Sequence, residues 1–398
     1  MRLLSKKPKI ELLAPAGDME GLVTAINAGT DAIYFGLQEF NMRARNKNFK
    51  TSELPKIRKL TEQNNIKLYL TLNTIIYDSE LKKAEKLIKK VKPYVDAIIC
   101  ADPSIMILCK KYKIPFHVST QCSISNIETA KFYKKLGAER AVLARELDLK
   151  QIKKISKILP TEIFIHGAMC VSVSGRCFLS EHLYPGQSAN RGKCIQPCRR
   201  YYDVKDDQNK ELRVSNHHIF SAKDLCTLPF IEKLKGSGIT SFKIEGRSRE
   251  PEYIDTVVKI YKKALNKKLT KQEIKDSLIE LNKVYTKGFS SGFYLGTPTS
   301  DDFSDVQHSK ATQKKQFIGK ISHYYPKLGV GLIKLNSGSL KIEDNILIMG
   351  KTTGLVRHKI TSMQIKHREI KEVKKDQEVG IKLPFCRKGD ELYLVIER

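Results

Sequence analysis

Five of the nine cysteines in this chain, Cys170, Cys177, Cys194, Cys198 and Cys226, fall within 57 residues, with 6, 16, 3 and 27 residues between neighbours. Thiolates bind soft metals and iron-sulfur clusters, and their spacing discriminates between the two. Zinc ribbons and fingers use two C-x2–4-C pairs set roughly 12 to 20 residues apart, and only Cys194/Cys198 fits that pattern. The surrounding segment, HGAMCVSVSGRCFLSEHLYPGQSANRGKCIQPCRRYYDV, is loop-like, and Gly175, Gly186 and Gly192 ease close backbone approach. Irregularly spaced thiols on separate turns suit an iron-sulfur cluster, most commonly 4Fe-4S, which takes one thiolate per iron. Cys100, Cys109, Cys122 and Cys386 stand in apolar or isolated contexts and read as small core residues.

Composition narrows the setting. Seventy-two Lys+Arg against 43 Asp+Glu give a formal charge of +29. That excess suits a polyanion partner such as RNA, while solvated Lys-rich helix faces give the same arithmetic. With 41% hydrophobic residues, the 398-residue chain has material for a large core and a second domain, which excludes disorder. No apolar run approaches the roughly 20 residues of a spanning helix, and the opening MRLLSKKPKIELL has neither an apolar h-region nor a small-residue cleavage site. The expectation is a cytoplasmic protein with no membrane attachment, in which thiols stay reduced rather than forming disulfides.

The elements that must position the cysteines follow from periodicity. Eight short aliphatic runs recur: 10–14, 31–36, 67–72, 95–100, 115–119, 140–144, 162–166 and 241–245. They are apolar on both faces and alternate with amphipathic segments such as 79–91 and 127–136, as in a parallel sheet with helical crossovers. Eight such units predict an α/β fold of TIM-like (β/α)8 type over 1–295, and no G-x-G-x-x-G follows the first run to favour a dinucleotide-binding sheet. The regular spacing breaks once, at 167–240, so the cysteine segment is an insertion at the face that carries active sites in such barrels. Residues 296–315 are polar and turn-rich and read as a linker. From 316 to 398 the period becomes two, which predicts a small antiparallel β-barrel domain.

On this reading the C-terminal ends of the runs converge on one mouth and carry Asn73, Asp102, Gln121, Arg145, Glu146, His166, Glu245 and Arg247. Tyr34 and Arg43 lie near it. Arg145 and Arg247 each offer a planar fork to a carboxylate, so with Gln121 and Asn73 they are candidates to bind a small carboxylate metabolite. His166 is the leading acid/base candidate because it titrates near neutrality four residues before Cys170. Glu146 and Glu245 are further catalytic candidates, or else ion-pair partners of the arginines.

Several segments resemble the family long called collagenase-like or U-32 peptidases: ELLAPAGDMEGLVTAINAGTDAIYFG, HVSTQCSISN, EIFIHGAMCVSVSGRCFLS, ANRGKCIQPCRRYY, SAKDLC and SFKIEGR. The resemblance spans nearly the whole chain and implies a barrel holding an iron-sulfur cluster. It further implies an RNA hydroxylase that forms 5-hydroxypyrimidine, on tRNA wobble uridine or a 23S rRNA cytidine, with prephenate as co-substrate. The ligand set it implies is Cys170, Cys177 and Cys194, with Cys226 as fourth and Cys198 competing for that place. The alternative, a peptidase, has no local H-E-x-x-H or G-x-S-x-G sequence to support it. After IEGR the family often has a Met and a Lys, where this chain has Ser248 and Arg249.

Overall fold

The computed structural model describes residues 9–173, 175–200, 202, 205–210, 220–306 and 308–398. The opening eight residues, part of the stretch read above as lacking a leader, therefore lie outside the described residues. Seven parallel strands run in order: β1 (Glu11–Ala16), β2 (Ala32–Gly36), β3 (Lys67–Leu72), β4 (Ala97–Cys100), β5 (Phe116–Val118), β6 (Arg140–Val142) and β7 (Thr161–Gly167). After the insertion come β8 (Asp224–Cys226) and β9 (Ser241–Ile244). β9 pairs in parallel with both β7 and β1, which closes an eight-stranded barrel from the eight runs expected. β8 is antiparallel to β7, with His166 opposite Cys226, and carries the short β10 (Phe289–Ser290) on its other edge.

Helices α1 (Met19–Asn27), α2 (Leu54–Gln63), α3 (Leu81–Val91), α4 (Pro103–Lys111), α5 (Ile127–Leu136) and α6 (Leu149–Ile155) follow β1 to β6. Their starts are set by side chains that satisfy free backbone N–H groups: Asp18 caps α1, Asn126 caps α5, and Asp148 with Gln151 forms a capping box on α6. The insertion contains α7 (Leu179–Leu183), and α8 (Ile231–Lys235) precedes β9. α9 (Pro251–Asn266) and α10 (Lys271–Lys283) complete the outer layer. No helix among the described residues is long and apolar enough to cross a membrane.

The barrel interior is divided. Leu13, Ala32, Tyr34, Tyr69, Ala97 and Ile99 form an apolar plug. Beside it, Arg140 contacts Glu11 at 2.5 Å and the fully buried Glu162 at 3.2 Å, and Lys243 contacts Glu162 at 2.8 Å. Both carboxylate oxygens of Glu162 therefore meet a cation inside the barrel, the condition under which a buried carboxylate is tolerated.

The C-terminal domain is built from antiparallel strands β11 (Gln313–Tyr325), β12 (Val330–Leu335), β13 (Ser339–Lys341), β14 (Asn345–Gly350), β15 (Gly354–Lys359), β16 (Met363–Ile365), β17 (Arg368–Glu369), β18 (Glu372–Lys374), β19 (Glu378–Lys382) and β20 (Glu391–Glu397). Eight of them form one sheet in the order β15-β14-β20-β11-β12-β19-β16-β17, and β13 pairs with β18. The domain starts at Gln313, where β11 pairs with Glu397, three residues before the boundary expected from periodicity. It is tied to the barrel's helices by Arg357 to Asp255 at 3.1 Å and Lys315 to Glu252 at 3.1 Å. The connecting residues fold back on the barrel: the Ser304 N–H donates to the Ser221 carbonyl, and the Lys310 N–H to that of Thr286.

Candidate functional site

A cavity of about 680 Å3 opens at the C-terminal ends of the barrel strands. Its walls come from strand ends, from the loop after β2 and from the cysteine-rich insertion, which folds over the mouth. Contact between the last two is close. Gly192 sits at φ +77°, and a Cβ there would stand 2.1 Å from the Asn41 carbonyl oxygen. Only glycine permits that approach. The Ala44 N–H donates to the Gly192 carbonyl at 3.0 Å, which completes the seam.

The polar lining is cationic. Arg43, Arg45, Arg145, Arg199, Arg200, Arg247 and Lys243 face a single acid, Glu245, among the described lining residues. Arg43 donates to Glu245 at 2.9 Å. Burial pushes the Glu245 carboxyl up, but Arg43, Arg249 and Arg145 outweigh it and hold the pKa down at about 2. Glu245 is thus a fixed negative charge that positions arginines. It does not carry a proton near neutral pH.

Arg247 donates to the Thr71 hydroxyl at 2.7 Å, and its pKa is lowered to about 10, by burial first. Arg145 donates to the Ala168 carbonyl at 2.7 Å and stacks 3.8 Å over the Phe164 ring, while its Nε is buried without a partner. The Arg145 side chain lines the cavity, where its guanidinium adds to a cationic wall suited to an anionic ligand. Asn73 and Gln121 are also brought in. The Asn73 amide donates to Gln121 Oε1 at 3.0 Å, and Gln121 also accepts from the Ser119 hydroxyl. Tyr34 lines the floor and donates to the Ile244 carbonyl at 2.9 Å.

Four thiols share this cavity: Cys170, Cys177, Cys194 and Cys198. Burial pushes the Cys198 thiol up to about 11. Arg199 opposes that shift, and Cys170, Cys194 and Cys177 add to it through their own charges, so each of these three lies within electrostatic reach of Cys198. The donor set fits an iron-sulfur cluster. The Gln196 N–H donates to Cys194 Sγ at 3.3 Å and the Ser172 hydroxyl lies 3.3 Å from Cys170 Sγ, contacts of the kind that tune cluster sulfurs. Among the described residues, no three His, Cys, Asp or Glu donors are gathered tightly enough for one metal ion. A tetrahedral zinc site needs its sulfurs about 3.8 Å apart, whereas cluster ligands bind separate irons and stand wider.

Four sequence candidates lie elsewhere. His166 does not face the cavity: its Nδ1 is 3.3 Å from the Tyr261 hydroxyl, and its ring packs against Tyr253, Tyr261 and Phe289. Burial, with a smaller contribution from Arg249, lowers its pKa to about 3. The cause is a bulge between Phe164 and His166 in the β7–β9 ladder, which breaks the alternation that would have turned residue 166 inward with Glu162 and Phe164. Cys226 is buried on β8 with its sulfur 3.7 Å from the same Tyr261 hydroxyl, and does not join the other four thiols. Glu146 is exposed and borders a separate small pocket. Asp102 caps α4 by accepting from the Ser104 N–H at 2.9 Å.

Lys243 was missed by the sequence reading. Its ammonium is buried in the cavity floor, 4.4 Å from the Tyr34 ring centre, and burial lowers its pKa despite Glu162. A signal was available: in SFKIE, Lys243 and Glu245 share one face of the strand, so a reading that turned Glu245 inward had to turn Lys243 inward too. Arg199 and Arg200, in the insertion, had no such signal.

Comparison with known proteins fits this arrangement. Residues 17–304 match the family model described as peptidase family U32. An uncharacterized protease of Methanocaldococcus jannaschii is 40% identical over 98% of both chains. The Porphyromonas gingivalis collagenase is 38% identical over 96% of this chain and 97% of its own. The tRNA hydroxylation protein P1 of Bacillus subtilis is 35% identical over 81% of this chain and 79% of its own.

Proposed function

The chain belongs to peptidase family U32, and from that premise and the cavity we propose that it is an iron-sulfur-dependent RNA hydroxylase that forms 5-hydroxypyrimidine. The favoured target is tRNA wobble uridine, with a 23S rRNA cytidine as the other. The observation that carries this reading is the grouping of four insertion thiols over an arginine-lined cavity. The tRNA hydroxylation name of the Bacillus subtilis relative supports RNA as substrate. The +29 charge supports the same partner.

In this proposal Cys170, Cys177, Cys194 and Cys198 hold the cluster. When bound, a cluster held by four thiolates would supply electron transfer. Arg145 and Arg247 clamp the carboxylates of a small co-substrate, for which prephenate is the candidate. Glu245 fixes Arg43 and keeps the cationic wall in register. Lys243 Nζ, at the floor and with its pKa lowered by burial, is the group suited to exchange a proton with bound co-substrate.

Peptide hydrolysis, the activity in the name of the Porphyromonas gingivalis relative, has less support from the cavity. No histidine lines it among the described residues to activate a thiol, and its one carboxylate is held ionised by arginine. The test is mass spectrometry of nucleosides from total tRNA and rRNA of cells with and without the gene. The expected result is loss of a 5-hydroxypyrimidine on deletion and its return with the wild-type gene. Unchanged hydroxypyrimidine content, with gelatin degraded by the purified protein, would overturn the proposal in favour of the peptidase.

A further inference from the structure

We propose that the rim of the cavity is a stacking platform for the unpaired bases of an RNA loop, built by Tyr77, Phe178 and Tyr184 with Arg191 and Arg200; this rests on the RNA reading above and specifies how the substrate is held. Exposed aromatic side chains carry meaning where they gather beside a site rather than lie scattered. Here Phe178 is 71% exposed, Tyr77 55% and Tyr184 41%. Each is linked to residues that line the cavity. Phe178 lies between Cys177 and Leu179, which line the cavity. The Tyr184 hydroxyl accepts from Arg200, a lining residue, at 3.1 Å. Tyr77 lies 4.7 Å beneath the Arg191 guanidinium, next to the lining residue Gly192.

Two of the rings are matched with a guanidinium plane, since Arg200 also stands 5.7 Å over Tyr184. The Arg191 plane is fixed in advance by Glu80 at 2.5 Å and by the Ile75 carbonyl. Alternating aromatic faces and guanidinium groups is the chemistry that binds single strands: bases stack on the rings and phosphates meet the cations. A paired duplex offers no free base faces to such a surface. A loop does, and a base at its tip is easily turned into the opening below. A neutral peptide would use the rings but not the cations, so charge complementarity favours the RNA.

The test measures binding rather than turnover. Fluorescence anisotropy of anaerobically purified full-length protein is read against a short RNA hairpin with a pyrimidine-rich loop and against the fully paired duplex of the same stem. The hairpin is expected to bind more tightly than the duplex. Tyr184→Ala and Tyr77→Ala are each expected to weaken hairpin binding by about tenfold, the loss of one stacked base, with duplex binding unchanged. Tyr184→Phe and Tyr77→Phe, which keep the ring, should restore it, and unchanged melting temperatures will exclude misfolding. Equal affinity for hairpin and duplex, alanine variants that bind the hairpin as wild type does, or displacement of the hairpin by a collagen-type peptide would each overturn the platform. Nucleoside analysis of the same cells distinguishes this from failure of the hydroxylase reading, because a wrong platform leaves 5-hydroxypyrimidine production intact.

Discussion

Two groups of sulfur and polar side chains lie close together in sequence and on opposite sides of strand β7. Inside the barrel mouth, Cys170, Cys177, Cys194 and Cys198 share an open, cationic cavity with Arg145 and Arg247. Behind the strand, His166 and Cys226 face one buried tyrosine hydroxyl, that of Tyr261, which also donates to the Ile165 carbonyl at 3.0 Å and accepts from the Thr227 N–H at 3.1 Å. The same residue types thus serve different ends according to solvent and charge. Thiols that line an arginine-walled cavity can be reached by a metal or cluster, whereas Cys226 is enclosed by packed protein and behaves as a small core group. Gly167, at φ +105°, marks the point where the chain leaves the packed side for the open one. A Cβ there would stand 2.5 Å from the Glu245 carbonyl oxygen and 2.8 Å from the Tyr253 hydroxyl.

The contrast is broken most severely by removing a cavity thiol. Cys177→Ser is expected to abolish 5-hydroxypyrimidine formation in complemented cells, read by nucleoside mass spectrometry; retained activity would remove Cys177 from the site. Next in size, Arg247→Ala is expected to lower kcat/KM for the carboxylate co-substrate by about a hundredfold, and Arg247→Lys to recover little of it, because one ammonium does not reproduce a two-pronged contact.

The buried group is probed by acid. An unfolded histidine takes up a proton near pH 6.5, whereas folded His166 resists until about 3. Between these values the unfolded state binds more protons, so stability is fully present above pH 6.5 and falls as the pH drops toward 3. The slope contributed by this residue is about 1.4 kcal/mol per pH unit. Urea unfolding from pH 7 to pH 4 should show the slope in wild type and its reduction in His166→Phe, with iron content equal in both. The smallest effect belongs to Tyr261→Phe, which deletes the shared hydroxyl and is expected to cost about 1–2 kcal/mol in the same assay without altering iron content.

Most of the barrel was legible in the residues, since eight aliphatic runs and one gap correspond to the eight barrel strands and the insertion. Arg145 and Arg247 were legible for the same reason, being charged residues that closely follow apolar strands. His166 was not, because a β-bulge leaves no mark in an apolar run and reverses the side to which one residue points. Cys226 was misplaced because SAKDLC folds as an extra strand antiparallel to β7, a pairing that spacing alone does not encode. Lys243 is readable from alternation, because it shares a strand face with Glu245.

The account is tested most directly by comparing two serine substitutions. Cys198→Ser and Cys226→Ser proteins, purified anaerobically, are assayed for iron and sulfide per chain and for the visible absorbance of the cluster. The four-thiol cavity predicts that Cys198→Ser loses most of its iron and colour while Cys226→Ser keeps the wild-type content. Iron lost from Cys226→Ser and retained in Cys198→Ser would contradict it, and would return the fourth ligand to the buried side of β7.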